Sequence, residues 1–169
     1  MIKILISPEY IDISPTDIVI FLAGPIQGSS NWHDKIINKI KSIDIDKNVI
    51  ICSPKRLNVD NFIYDEQVDW ESHHLELSSK QGIIVFWLAE EKDKVDGRSY
   101  AQTTRFELGE WWAKGQNIKN FKIIIGSEEG FNGLRYITKK FQDKYGDFNL
   151  IMDIDNLIEE IIKTINGFK

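Results

Sequence analysis

Apolar residues along this chain come in two spacings, and the two alternate. Ile18-Val19-Ile20-Phe21-Leu22-Ala23 is a continuous apolar run, the pattern of a strand buried on both faces. Val49 to Cys52, Gly82 to Leu88 and Phe121 to Ile125 read the same way, and Phe148 to Met152 predicts a shorter fifth core strand. Ile2 to Ile6 predicts an edge strand, joined by a Pro-containing connector from Pro8 to Asp17. Between the strands the spacing becomes helical. Trp32 to Ile43 carries apolar residues at 32, 36, 37, 40 and 43, one face of a helix. Glu66 to Lys80 predicts a helix with few apolar positions, Thr104 to Lys114 one closed by Gly115, and Asn132 to Tyr145 another. The last helix starts near Asp153 or Asp155 and puts Ile154, Leu157, Ile158, Ile161, Ile162 and Ile165 on one face. Gly24 to Asn31, Ser53 to Asp65, Ala89 to Thr103 and Gly126 to Gly130 read as loops.

Strands alternating with helices predict an α/β fold with a mostly parallel sheet and right-handed crossovers. Five core strands fit a flavodoxin-like three-layer sandwich. No linker, repeat or low-complexity tract interrupts the chain, so one domain over residues 1–169 is expected, with 1–17 as an N-terminal extension or edge strand.

The 169 residues suffice for a sizeable core, and a 42% hydrophobic share argues against disorder. The net charge of -5 comes without any run of Lys and Arg, so no phosphate track for a nucleic-acid polymer is expected. A free nucleoside or nucleotide needs only local complementarity. Cys52 is the sole cysteine; it reads as a small buried hydrophobe and suits a reducing compartment. The apolar run at Met1 to Ile6 is short for a secretory leader, and no run reaches the ~18 apolar residues of a membrane span. A cytoplasmic protein without a membrane partner is expected. His33, His73 and His74 lack metal-ligand spacing with Cys52, so neither metal nor cofactor is expected.

Two segments carry candidate chemistry, both at the carboxyl ends of predicted strands, where open α/β sheets bind ligands. Phe21-Leu22-Ala23-Gly24-Pro25-Ile26 ends in a loop whose Gly24 lets the backbone turn and whose Gln27, Ser29, Ser30 and Asn31 offer uncharged donors. It lacks a Walker motif and a dinucleotide fingerprint. Thr103-Thr104-Arg105-Phe106-Glu107-Leu108-Gly109-Glu110-Trp111 puts a carboxylate near a helix start. Thr104-x-x-Glu107 fits a capping box, in which Glu107 satisfies a backbone N–H. The same geometry holds an ionised carboxylate at a strand-to-helix corner, competent as a nucleophile toward a sugar carbon. Glu110 ranks below it, being deeper in the helix. Asp65, Glu66, Asp69 and Glu71 crowd around Trp70, either as a solvated helix face or with one member acting as a general acid. Asp69 and Glu71 are two apart, so at most one faces a common site. Trp32 and Trp70 flank these loops, which makes them candidates for stacking on a base as well as for core packing.

Taken in order, four segments make the chain resemble the nucleoside 2-deoxyribosyltransferase-like family: Ile20 to Ile26, Asp65-Glu66-Gln67-Val68-Asp69-Trp70-Glu71, Ile83 to Trp87, and Thr103 to Trp111. The resemblance implies a flavodoxin-like fold and cleavage of an N-glycosidic bond. It implies that Glu107 attacks the anomeric carbon and that Glu71, or else Asp69, assists departure of the base. It places the sugar and any 5′-phosphate against Gly24, Pro25, Ile26, Gln27 and Gly28 and against the Thr103-Thr104 turn. Arg105 stands there in place of an expected asparagine. Self-association follows from the same likeness. Whether the pentose goes to a second base or to water is left open, and a non-catalytic nucleotide sensor or adaptor on the same fold is the alternative.

Overall fold

The computed structural model describes residues 1–57, 60 and 62–168. Asn58, Val59 and Asn61, within the loop expected from Ser53 to Asp65, lie outside the described residues. Five apolar segments form strands: β1 (Ile2–Ile6), β2 (Ile18–Ala23), β3 (Val49–Ser53), β4 (Gly82–Leu88) and β5 (Ile123–Ser127). Five helices connect or follow them: α1 (Trp32–Lys41), α2 (Tyr64–Gln81), α3 (Gln102–Lys114), α4 (Leu134–Tyr145) and α5 (Ile154–Asn166). All four strand pairings are parallel and the order is β1-β3-β2-β4-β5.

Every residue of β2, β3 and β4 is buried, because helices cover both sheet faces. The two faces separate by parity. Ile18, Ile20 and Leu22 of β2 pack with α1 and α5 through Trp32, Ile36, Ile40, Leu157, Ile158 and Ile161. Val19, Phe21 and Ala23 pack on the other face, with Trp70 and Leu75 of α2, Leu108 and Trp111 of α3, and Phe141 of α4. This is a three-layer sandwich of the flavodoxin-like kind. The chain leaves β2 toward β3 and leaves β4 toward β5, so the connections diverge at the central β2–β4 pair. The crevice outside their carboxyl ends is therefore the natural ligand position.

Two sequence expectations need correction. Phe148 to Met152 is not a strand: it makes one parallel bridge, Ile151 with Gly126, through Ser127 N–H to Ile151 O at 2.8 Å and Ile151 N–H to Ile125 O at 3.1 Å. Asp153 then caps α5 at once, its Oδ1 accepting from Asp155 N at 2.9 Å and Asn156 N at 3.0 Å, and the pairing ends. The fifth strand is instead β1, on the far edge beside β3. The fourth expected strand, Phe121 to Ile125, is displaced by two residues. Phe121 belongs to the helix–strand connection, stacked on Trp111 with ring centres 6.1 Å apart. Gly126 and Ser127 belong to β5, not to a loop. A Cβ on Gly126 would lie 2.8 Å from both Leu157 and Trp87, so this glycine admits α5 against the sheet.

Candidate active site

β2 ends at Ala23, and Gly24 turns the chain with φ of +155°. A Cβ there would sit 2.3 Å from Trp87 O and 2.7 Å from the Trp32 ring, so only glycine fits. Pro25 is buried, and its carbonyl accepts from Trp32 Nε1 at 2.8 Å and from Ser29 Oγ at 2.7 Å. Ile26 and Gln27 are exposed at the loop's outer edge, and Gln27 Oε1 accepts from Arg98. The loop is thus built by its own serine and by Trp32.

That use removes Trp32 from the ligand candidates. It is 2% exposed, its N–H is spent on Pro25, and its ring stacks on His33 at 3.5 Å. Trp70 is corrected likewise: it is fully buried against the sheet and donates to Glu9 O at 2.6 Å. Neither ring has a free face for a base.

α3 begins at Gln102, with Ala101 in a left-handed conformation ahead of it and no side chain capping the start. Thr104 is buried inside the first turn, so the expected capping box does not form. Glu107 sits in the second turn, half-buried. It is too deep for the positive end of the helix to hold it ionised, since that influence fades within one turn. Burial instead pushes its carboxyl up to about 8, with the negative charges of Glu71 and then Glu110 adding to the shift. Glu110 itself pairs with Lys114 at 2.6 Å.

Glu71 reaches the same place from α2. Its carboxyl is also raised, by burial first, against the opposing pull of a hydrogen bond from Gln67 and of the Arg56 charge. Gln67 Nε2 donates to Glu71 Oε1 at 2.7 Å. Asp69 is exposed, and its charge is not among those that shift Glu107. Of the two acids offered by α2, it is Glu71 whose charge acts on Glu107. Thr103 is exposed at the mouth of α3. Arg105 points away, to the β5–α4 connection, where its Nη2 donates to Asn132 O at 2.8 Å and its guanidinium lies 4.4 Å over the Phe131 ring.

Sequence reasoning assigns no role to Gln67, Arg56 or Ser7. Gln67 and Glu71 are spaced i, i+4, so they share a helix face, and that spacing is the signal that could have found the pair. A depression of about 520 Å³ between α3 and α4, lined by Trp112, Gln116, Lys140 and Lys144 among others, contains neither Glu71 nor Glu107. Among the described residues no cluster of three His, Cys, Asp or Glu side chains suits a metal ion. No helix there is long and apolar enough to cross a membrane.

No curated protein matches the chain. A family model described as nucleoside 2-deoxyribosyltransferase like matches residues 17–121, which run from β2 through α3 and include Gly24, Glu71 and Glu107. That match covers more than half of the sequence and every element that builds the carboxylate pair: the chain belongs to the nucleoside 2-deoxyribosyltransferase-like family.

Proposed function

We propose that this protein cleaves the N-glycosidic bond of a (deoxy)nucleoside or nucleotide through a glycosyl-enzyme on Glu107, passing the pentose to a second base or to water. One observation carries the proposal: two half-buried carboxyl groups, on different helices, are both raised by burial, and the charge of Glu71 from α2 acts on Glu107 of α3. Burying two like charges together destabilises a fold unless they share a proton, and a shared proton is what acid-assisted displacement requires.

The first step needs the pair's proton on Glu71, so it passes there from Glu107, whose carboxyl is raised to about 8, as substrate binds. A carboxylate oxygen of Glu107 then forms an ester bond to C1′. The C1′–N bond breaks, its electron pair leaves with the base, and Glu71 gives the base its proton. The transition state carries positive charge on the pentose, which the Glu107 carboxylate stabilises. In the second step Glu71, now a carboxylate, takes a proton from the acceptor as that acceptor attacks C1′, and Glu107 is released. Attack from opposite faces in two steps retains configuration. We assign the sugar to Thr103, exposed one helical turn before Glu107 on α3, and to Gln27, exposed on the loop after β2.

Chromatography of free base released from a panel of nucleosides and 5′-nucleotides tests the proposal. Glu107→Gln is expected to lower turnover at least about 10³-fold with an unchanged circular dichroism spectrum. Mass spectrometry of the intact wild-type protein with substrate is expected to show a pentosyl adduct. Near-wild-type release by the variant removes Glu107 from the mechanism, and binding without release supports the sensor reading.

A further inference from the structure

The side-chain amide of Gln67 is 8% exposed and bonded on all sides. Its Oε1 accepts from Ser7 Oγ at 2.6 Å and from Arg56 Nε at 2.6 Å. Its Nε2 donates to Pro54 O at 3.0 Å and to Glu71 Oε1 at 2.7 Å. The orientation of this amide is fixed by chemistry. A guanidinium N–H only donates, so the atom facing Arg56 must be the oxygen. A backbone carbonyl only accepts, so the atom facing Pro54 must be the nitrogen. Glu71 therefore always meets an N–H.

We propose that Gln67 is a positioning residue that keeps Glu71 Oε1 as an acceptor, so that Oε2 carries the proton delivered to the departing base. The proposal rests on the acid role given to Glu71 above. A carboxylic acid has one O–H, and an oxygen already receiving a hydrogen bond is the poorer place for it. Fixing Oε1 also fixes the direction in which Oε2 points. The charge acting on Glu71 is that of Arg56, and Glu71 in turn acts on Glu107 of α3. Gln67 is tied to three separate segments: Ser7 after β1, Pro54 and Arg56 after β3, and α2 itself. The acid is thereby referenced to the sheet and not only to its own helix.

Leaving-group dependence separates this role from a merely structural one. Gln67→Met, which keeps the side-chain length and loses the N–H, is expected to lower kcat for nucleosides about 10–100-fold, with KM within about threefold of wild type. On a p-nitrophenyl 2-deoxyriboside, whose phenolate leaves without a proton, kcat is expected to stay within about threefold of wild type. An equal loss on both substrates, or no loss on either, overturns the proposal. Should Gln67→Met fail to fold, Gln67→Glu carries the same comparison, since it retains acceptors for Ser7 and Arg56. If wild type turns over neither substrate, the function proposed above fails on its own. Gln67 is then judged by ¹³C NMR titration of the Glu71 carboxyl, which must move upward in Gln67→Met; an unmoved titration overturns the positioning role.

Discussion

At the scale of single residues, Glu107, the nucleophile of the proposed reaction, weakens the fold at alkaline pH. Its folded value of about 8 lies above the ordinary 4.5, so the unfolded chain releases this proton first as pH rises. Stability is greatest, for this group, below about 4.5 and is lost through about 8. Glu107→Gln should therefore leave Tm unchanged near pH 4.5 and raise it by a few degrees at pH 8, as read by differential scanning calorimetry. Glu71→Gln removes a like charge, so the Glu107 carboxyl should titrate lower in that variant, which NMR would show directly. A Glu107 titration unmoved by that change would mean the two acids do not sense each other. The position of Glu107 is legible in the sequence, but its protonation is not. The local pattern Thr104-x-x-Glu107 points to a first-turn cap, whereas α3 starts at Gln102 and the walls around the side chain come from elsewhere in the fold.

At the scale of elements, the turns and caps are more exacting than the strands. Gly24→Ala places a Cβ against Trp87 O and Trp32 in a backbone conformation that alanine resists, so it should cost roughly 1–3 kcal/mol and reduce substrate binding. Urea melts with a base-release assay on the same sample check both effects. Asp153→Ala strips two N–H groups at the start of α5 of their acceptor, at a cost of about 1 kcal/mol. That variant should keep full activity, because α5 lies on the sheet face away from α2 and α3. The strand runs at Ile18–Ala23 and Gly82–Leu88 are readable to the residue, since burial on both faces leaves no polar interruption. Phe148 to Met152 misleads because an apolar run carries no information on its C-terminal neighbours, and the Asp153 cap cuts the strand short. The mouth of the site is half legible: Gly24 announces its turn, while the burial of Trp32 and Trp70 comes from partners, Pro25 and Glu9, that local spacing cannot reveal.

At the scale of the whole molecule, acid acts through a different residue. His33 is 1% exposed, and burial, then the charge of Lys55, lowers its pKa to about 3. The unfolded chain binds a proton near 6.5 that the native state refuses, so stability is lost as pH falls from there toward 3. His33→Phe should flatten the decline of Tm between pH 7 and pH 5; an identical decline would show that other groups govern it. The strand order has one more result, felt before any ligand arrives. On one side of β2 Val19 pairs with Ile50, and on the other with Gly82. During synthesis, β2 therefore leaves the ribosome with both flanks empty and waits for partners not yet translated. Its greasy side chains make this early interval the time when the chain most needs a chaperone.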